Sequence, residues 1–103
     1  MTIVYDPIRV RSELPRAADW LLDGIYEVCD IGYQELIDSV TAQETDSASE
    51  LLEEFFPEEF RSRVSELHIA IVAMALIIER LTNWPEFVTD VLVAIGEDIG
   101  YVR

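Results

Sequence analysis

Residues 67–78 read LHIAIVAMALII, twelve positions with a single polar side chain, His68. A helix built from this run is apolar almost all round, and such a helix is stable only when other elements enclose it. The stretch from Ile69 to Ile78 is about half of the ~20 residues that a membrane span requires. It is therefore expected at the centre of a fold, and the rest of the chain has to supply its neighbours.

The flanking segments carry patterns suited to that task. Leu14, Ala18, Leu21, Ile25, Val28, Gly32 and Leu36 recur at spacings of three and four, which predicts a helix from about Ser12 to about Val40 with one buried stripe. Pro15 is tolerated in its first turn, and Gly24 and Gly32 weaken it, with Gly32 a natural point of division. TAQETDS at 41–47 is expected as a polar linker, and Ser47 with Glu50 forms a capping box that opens a short helix, ASELLEEFF. Pro57 interrupts that helix and starts the next, expected over 58–81. Asn83 and Glu86 suggest a further cap around Pro85, ahead of a last helix with Val88, Val91, Leu92, Ile95 and Ile99 on one side. Residues 2–11 mix β-branched side chains with Pro7 and are expected as an extended arm or short edge strand. The expected fold is a single all-α domain over 1–103, a compact bundle of four to five helices with a short extended N-terminal arm at 1–11.

Charge separates this chain from an ordinary small bundle. Its formal net charge is -14, from 21 acidic residues against seven Arg and no Lys. Half of the residues are apolar, so the chain is expected to fold and is no acidic disordered tail. The imbalance is regional: residues 17–60 hold 13 acids and no base. Such a surface is repelled by nucleic acid and by anionic membranes and attracted to basic proteins. A lone cysteine, Cys29, excludes an internal disulfide and reads as a small buried hydrophobe. With no visible signal peptide in MTIVYDPIRV, a cytoplasmic location is expected.

On the first helix, Asp19, Asp23, Glu27, Asp30 and Asp38 fall within an arc of roughly 100°, opposite the apolar stripe. Their axial steps of ~4.5–6 Å resemble the separation of successive phosphates along a nucleic-acid strand. Trp20 and Tyr26 stand at the margins of the arc, where a binding surface places aromatic anchors. A second cluster, ETDSASELLEEFFPEEF, adds Glu44, Asp46, Glu50, Glu53, Glu54, Glu58 and Glu59, interleaved with Phe55, Phe56 and Phe60. Stacked like charges cost stability, so a helix needing only solubility would mix in bases. The plain alternative is a solvated or salt-adapted face.

Enzymatic readings find little support. Glu27-x-x-Asp30 and Glu35-x-x-Asp38 have a spacing that resembles all-α nucleotide pyrophosphohydrolases. Both pairs lie on one predicted helix, however, and no base stands nearby to hold a triphosphate. One His and one Cys do not make a zinc or di-iron site, and no serine elbow or Gly-rich phosphate loop is present. No catalytic residue, metal or cofactor is expected.

By charge and size the chain resembles the acidic inhibitors that phages direct against restriction or CRISPR nucleases, many of which mimic DNA. That resemblance implies a non-enzymatic protein whose carboxylates occupy the basic site of a nucleic-acid-binding protein or nuclease complex, without touching nucleic acid or membrane itself. The residues expected to carry it are Asp19, Asp23, Glu27, Asp30 and Asp38, then Glu53, Glu54, Glu58 and Glu59, with Trp20 and Tyr26. Two alternatives are an immunity protein or antitoxin that neutralises a basic toxin, and a structural or adaptor protein that forms a homodimer or a larger helical assembly through LHIAIVAMALII, with Ala70, Ala73 and Ala75 allowing close approach.

Overall fold

The computed structural model describes residues 11–28 and 33–101, and among them there are helices and no strand. After a short helical stretch at 11–13, six helices follow: α1 Pro15–Val28, α2 Tyr33–Asp38, α3 Ala42–Phe55, α4 Glu58–Arg61, α5 Glu66–Thr82 and α6 Phe87–Ile99. The all-α bundle is as expected. Of the arm, only Arg11 lies within the described residues, and there it is helical.

Helix α5 is the hub. Ten of its seventeen residues are buried, from Leu67 to Ile78, and α1, α2, α3 and α6 all pack against it. Its neighbours bring the stripes that the sequence predicts: Leu14, Ala18 and Leu21 beside α1's Ala17, Leu36 from α2, and Val88, Val91, Leu92 and Ile95 from α6 are buried. Ala48, Leu52 and Phe56 complete the core from the α3 side. Contacts at the helix ends fix directions. Glu44 near the start of α3 meets Arg80 late in α5, and Asp98 at the end of α6 meets Arg16 and Ala17 at the start of α1. α1 and α5 therefore run one way, and α3 and α6 run the other.

Four boundaries differ from expectation. α1 begins at Pro15 because proline lacks an N–H and pushes the preceding residue out of the helical region, leaving Leu14 between two helical stretches. α3 begins at Ala42, so the expected linker is helical: Thr41 and Glu44 form a capping box ahead of the Ser47 and Glu50 pair. The expected helix over 58–81 is divided into α4 and α5, since Ser65 is extended (φ -120°, ψ 178°) and, with His68, caps a new start. Asn83 closes α5 in the left-handed conformation (φ 53°) and does not open α6, whose N-cap is Glu86 (φ 66°). Of the expected first helix, α1 and α2 are described, and residues 29–32, with Cys29 and Gly32, lie outside the described residues.

Ala70, Ala73 and Ala75 are buried in this core. A homodimer built on that alanine stripe would have to open the fold, which removes the surface proposed for it. Close approach is used internally at Gly24, where an added Cβ would lie 2.5 Å from Phe87 Cζ and 2.9 Å from Ile78 Cγ2. Both neighbours are fully buried and have no room to yield. Helix propensity alone favours Gly24→Ala by about 1 kcal/mol, whereas the overlap should reverse the sign. Urea unfolding is expected to show Gly24→Ala net destabilised by about 1–2 kcal/mol, and a stabilised variant would mean that α1 does not press on Phe87.

Candidate functional site

With seven Arg and no Lys, the chain cannot pair most of its carboxylates with cations. Each arginine among the described residues is engaged within the molecule. Arg11 lies 3.6 Å from Asp19, with both side chains largely exposed, and Arg16 pairs with Glu97. Arg80 donates to Glu44 at 2.7 Å. The other two serve helix C-termini, where orphan carbonyls and the negative end of the dipole favour a cation: Arg61 donates to Glu53 O at 3.1 Å and Arg63 to Ile99 O at 2.8 Å. Arg63 also lies over the Phe60 ring, 5.2 Å from its centroid.

Backbone N–H groups take over part of the missing positive charge. The first N–H groups of a helix are unpaired and lie at the positive end of its dipole, so a carboxylate there gains hydrogen bonds and field together. Asp98 accepts from Arg16 N–H at 3.2 Å and Ala17 N–H at 3.0 Å, closing the start of α1, where the residue ahead of Pro15 is Leu14 and offers no acceptor. Glu79 accepts from Val88 N–H at 3.4 Å in the first turn of α6. Glu44 accepts from Thr41 N–H at 3.0 Å and from the Thr41 hydroxyl, while its second oxygen receives Arg80. It is buried, and bonding to Thr41 and Arg80 holds its carboxyl well below the usual range, at about 2. Glu44 therefore belongs to the framework and not to the acidic surface cluster in which the sequence placed it.

His68 plays the matching part at α5. Its Nδ1 accepts from Ser65 N–H at 2.8 Å, so the neutral ring carries its proton on Nε2. Burial lowers its pKa from the ordinary value, against the opposing pull of Asp98 and Glu13. It is a structural cap. Among the described residues no three His, Cys, Asp or Glu side chains are grouped to hold a metal ion, and no helix is long and apolar enough to cross a membrane.

The carboxylates of the expected site that are described face outward. Asp19 and Asp23, one turn apart on α1, are exposed, as is Asp38 at the end of α2. Glu27 belongs to α1, but its side chain lies outside the description, and Asp30 lies outside the described residues altogether. On α3, Asp46, Glu50, Glu53 and Glu54 are exposed, and Glu58 and Glu59 continue the series into α4. α1 packs on α5 and α6, while α3 packs on α5. The expected site is thus carried by separate helices, one patch on α1 and another along α3 and α4.

The aromatic residues divide differently from expectation. Tyr26 is 79% exposed on α1. Trp20 is half-buried and meets Trp84 edge-on, with ring centroids 6.1 Å apart. Phe55, Phe56 and Phe60, interleaved with acids in the sequence, turn inward around Tyr101 at 6.5, 5.4 and 5.0 Å. They tie the α3–α4 corner to the end of α6 and leave the outer surface of that corner to carboxylates.

The capping roles of Glu44 and His68 have a sequence signal, a Thr or Ser three positions ahead of each. Those of Glu79 and Asp98 have none, because their partners lie on other helices. Comparison of the chain with protein-family models, with curated proteins and with solved structures finds no match.

The depressed Glu44 pKa gives a pH-dependent expectation. A carboxyl near 2 in the folded protein and near 4.5 when unfolded contributes stability that is complete above about 4.5 and is lost as pH falls toward 2. Glu44→Gln is expected to cost about 1–2 kcal/mol at neutral pH, within the range for hydrogen bonds to charged groups. Urea melts of both proteins should show that difference shrinking below pH 4.5, and a difference independent of pH would contradict the assignment.

Proposed function

We propose that this protein is a non-enzymatic inhibitor that binds the basic, nucleic-acid-binding site of another protein, its carboxylates standing in for phosphates. The observation that supports this most is the outward-facing acid of α3 and α4. Asp46, Glu50, Glu53, Glu54, Glu58 and Glu59 are exposed, and among the described residues no arginine pairs with their carboxylates. Like charges three and four residues apart repel by roughly 0.2–0.5 kcal/mol per pair. The described arginines go to helix ends and to Asp19, Glu44 and Glu97, which leaves this field uncompensated.

A partner whose Arg and Lys residues are spaced for phosphates would be steered to such a field, with association that weakens as salt screens it. The helical backbone of α3 favours the same mechanism, because it fixes the points from which the carboxylates project and leaves only side-chain rotamers to be ordered on binding. Asp19 and Asp23 on α1 provide a second, smaller patch.

The test is capture of proteins from a host lysate at low and high salt, with wild type beside a variant carrying Asp19→Asn, Asp23→Asn, Glu53→Gln, Glu54→Gln, Glu58→Gln and Glu59→Gln. Wild type is expected to retain a nucleic-acid-binding protein that high salt or added nucleic acid releases, and the variant to bind it on the order of tenfold more weakly or worse. Retention indifferent to the substitutions and to competing nucleic acid would contradict the proposal.

A further inference from the structure

Between α3 and α5 runs a groove of about 150 Å³, lined by Ser49, Leu52, Glu53, Arg61, Val64 and Ile69. Leu52 is buried, while Val64 and Ile69 are half-buried. The groove is open to solvent on one side, with Leu52, Val64 and Ile69 as its apolar lining and Ser49, Glu53 and Arg61 as its polar lining. The helix that forms one wall carries the exposed Asp46, Glu50, Glu53 and Glu54. Arg61 is tied by its guanidinium to the Glu53 carbonyl at the end of α3. An apolar slot beside a dense negative field selects a particular guest: a hydrophobic side chain on a segment that is otherwise cationic.

Resting on the function proposed above, we infer that the α3–α5 groove seats one aliphatic side chain of a basic segment of the partner protein, whose neighbouring Arg or Lys residues meet Glu53 and Glu50. A phosphate mimic acting through charge alone has no use for such a slot. Charge supplies steering and discriminates against acidic partners, whereas the seated side chain is shielded from water and slows dissociation.

The experiment uses the full chain and two fluorescein-labelled peptides of Arg and Ala, identical except for a central Leu or Ser. Anisotropy titrations at low salt measure affinity, and NMR spectra of the Leu52, Val64 and Ile69 methyl groups report where the peptide sits. The Leu peptide is expected to bind about tenfold more tightly, the scale set by burying one such side chain, and to shift those methyl signals. Ser49→Met, which narrows the groove from its edge, should bring the Leu peptide down to the affinity of the Ser peptide and leave the Ser peptide unchanged.

Equal, salt-sensitive affinities with unmoved methyl signals would overturn the groove inference and leave the acidic surface standing. Failure of both peptides to bind would count against the acidic-surface reading and the groove together. Methyl signals that shift with protein concentration in the absence of peptide would assign the groove to a second copy of the chain, and that too would overturn the inference.

Discussion

Helix α5 buries side chains around most of its circumference, and the remaining elements are placed by the need to keep it from water. Burial of apolar area is the dominant favourable term in folding, and here it is concentrated on one seventeen-residue element that α1, α2, α3 and α6 enclose. The enclosure is close enough that Gly24 leaves no space for a methyl group between α1 and Phe87. The same demand decides where the acidic residues go, because the faces turned away from α5 are the only ones left for them.

Those acidic residues then separate into two populations. Glu44, Glu79 and Asp98 turn inward to backbone N–H groups at helix starts, and Glu44 also receives Arg80. In a chain short of cations, helix N-termini act as their substitutes, while the described arginines go to helix C-termini (Arg61 and Arg63), to Glu44 of the framework (Arg80) and to the exposed Glu97 and Asp19 (Arg16 and Arg11). In the second population, the α3 and α4 carboxylates Asp46, Glu50, Glu53, Glu54, Glu58 and Glu59 have no such partners among the described residues. Its repulsion works against folding, so folding does not explain its presence. The binding role proposed above would account for it.

Much of the architecture is legible in the sequence, for physical reasons that particular residues illustrate. LHIAIVAMALII can only be central, and the three-and-four spacing of Leu14, Ala18 and Leu21 can only face it. Helix boundaries were harder, because several capping signals compete: Thr41 with Glu44 prevailed over Ser47 with Glu50, and burial of Glu44 against Arg80, a contact spanning 36 residues, lies beyond local sequence. The outward placement of Asp19 and Asp23 followed from periodicity. The inward turn of Phe55, Phe56 and Phe60 did not, since it depends on Tyr101, brought to them by the end of α6.

The division of the carboxylates into a framework set and an outer set is the claim on which the rest turns. Its most direct test is urea unfolding at low and high salt of a variant with Asp23→Asn, Glu50→Gln, Glu53→Gln and Glu54→Gln. The variant should be more stable than wild type at low salt, and the advantage should fade as salt screens the repulsion. A variant less stable than wild type at both salt concentrations would mean that these carboxylates hold the fold together, and the account of a surface kept for a partner would lose its physical basis.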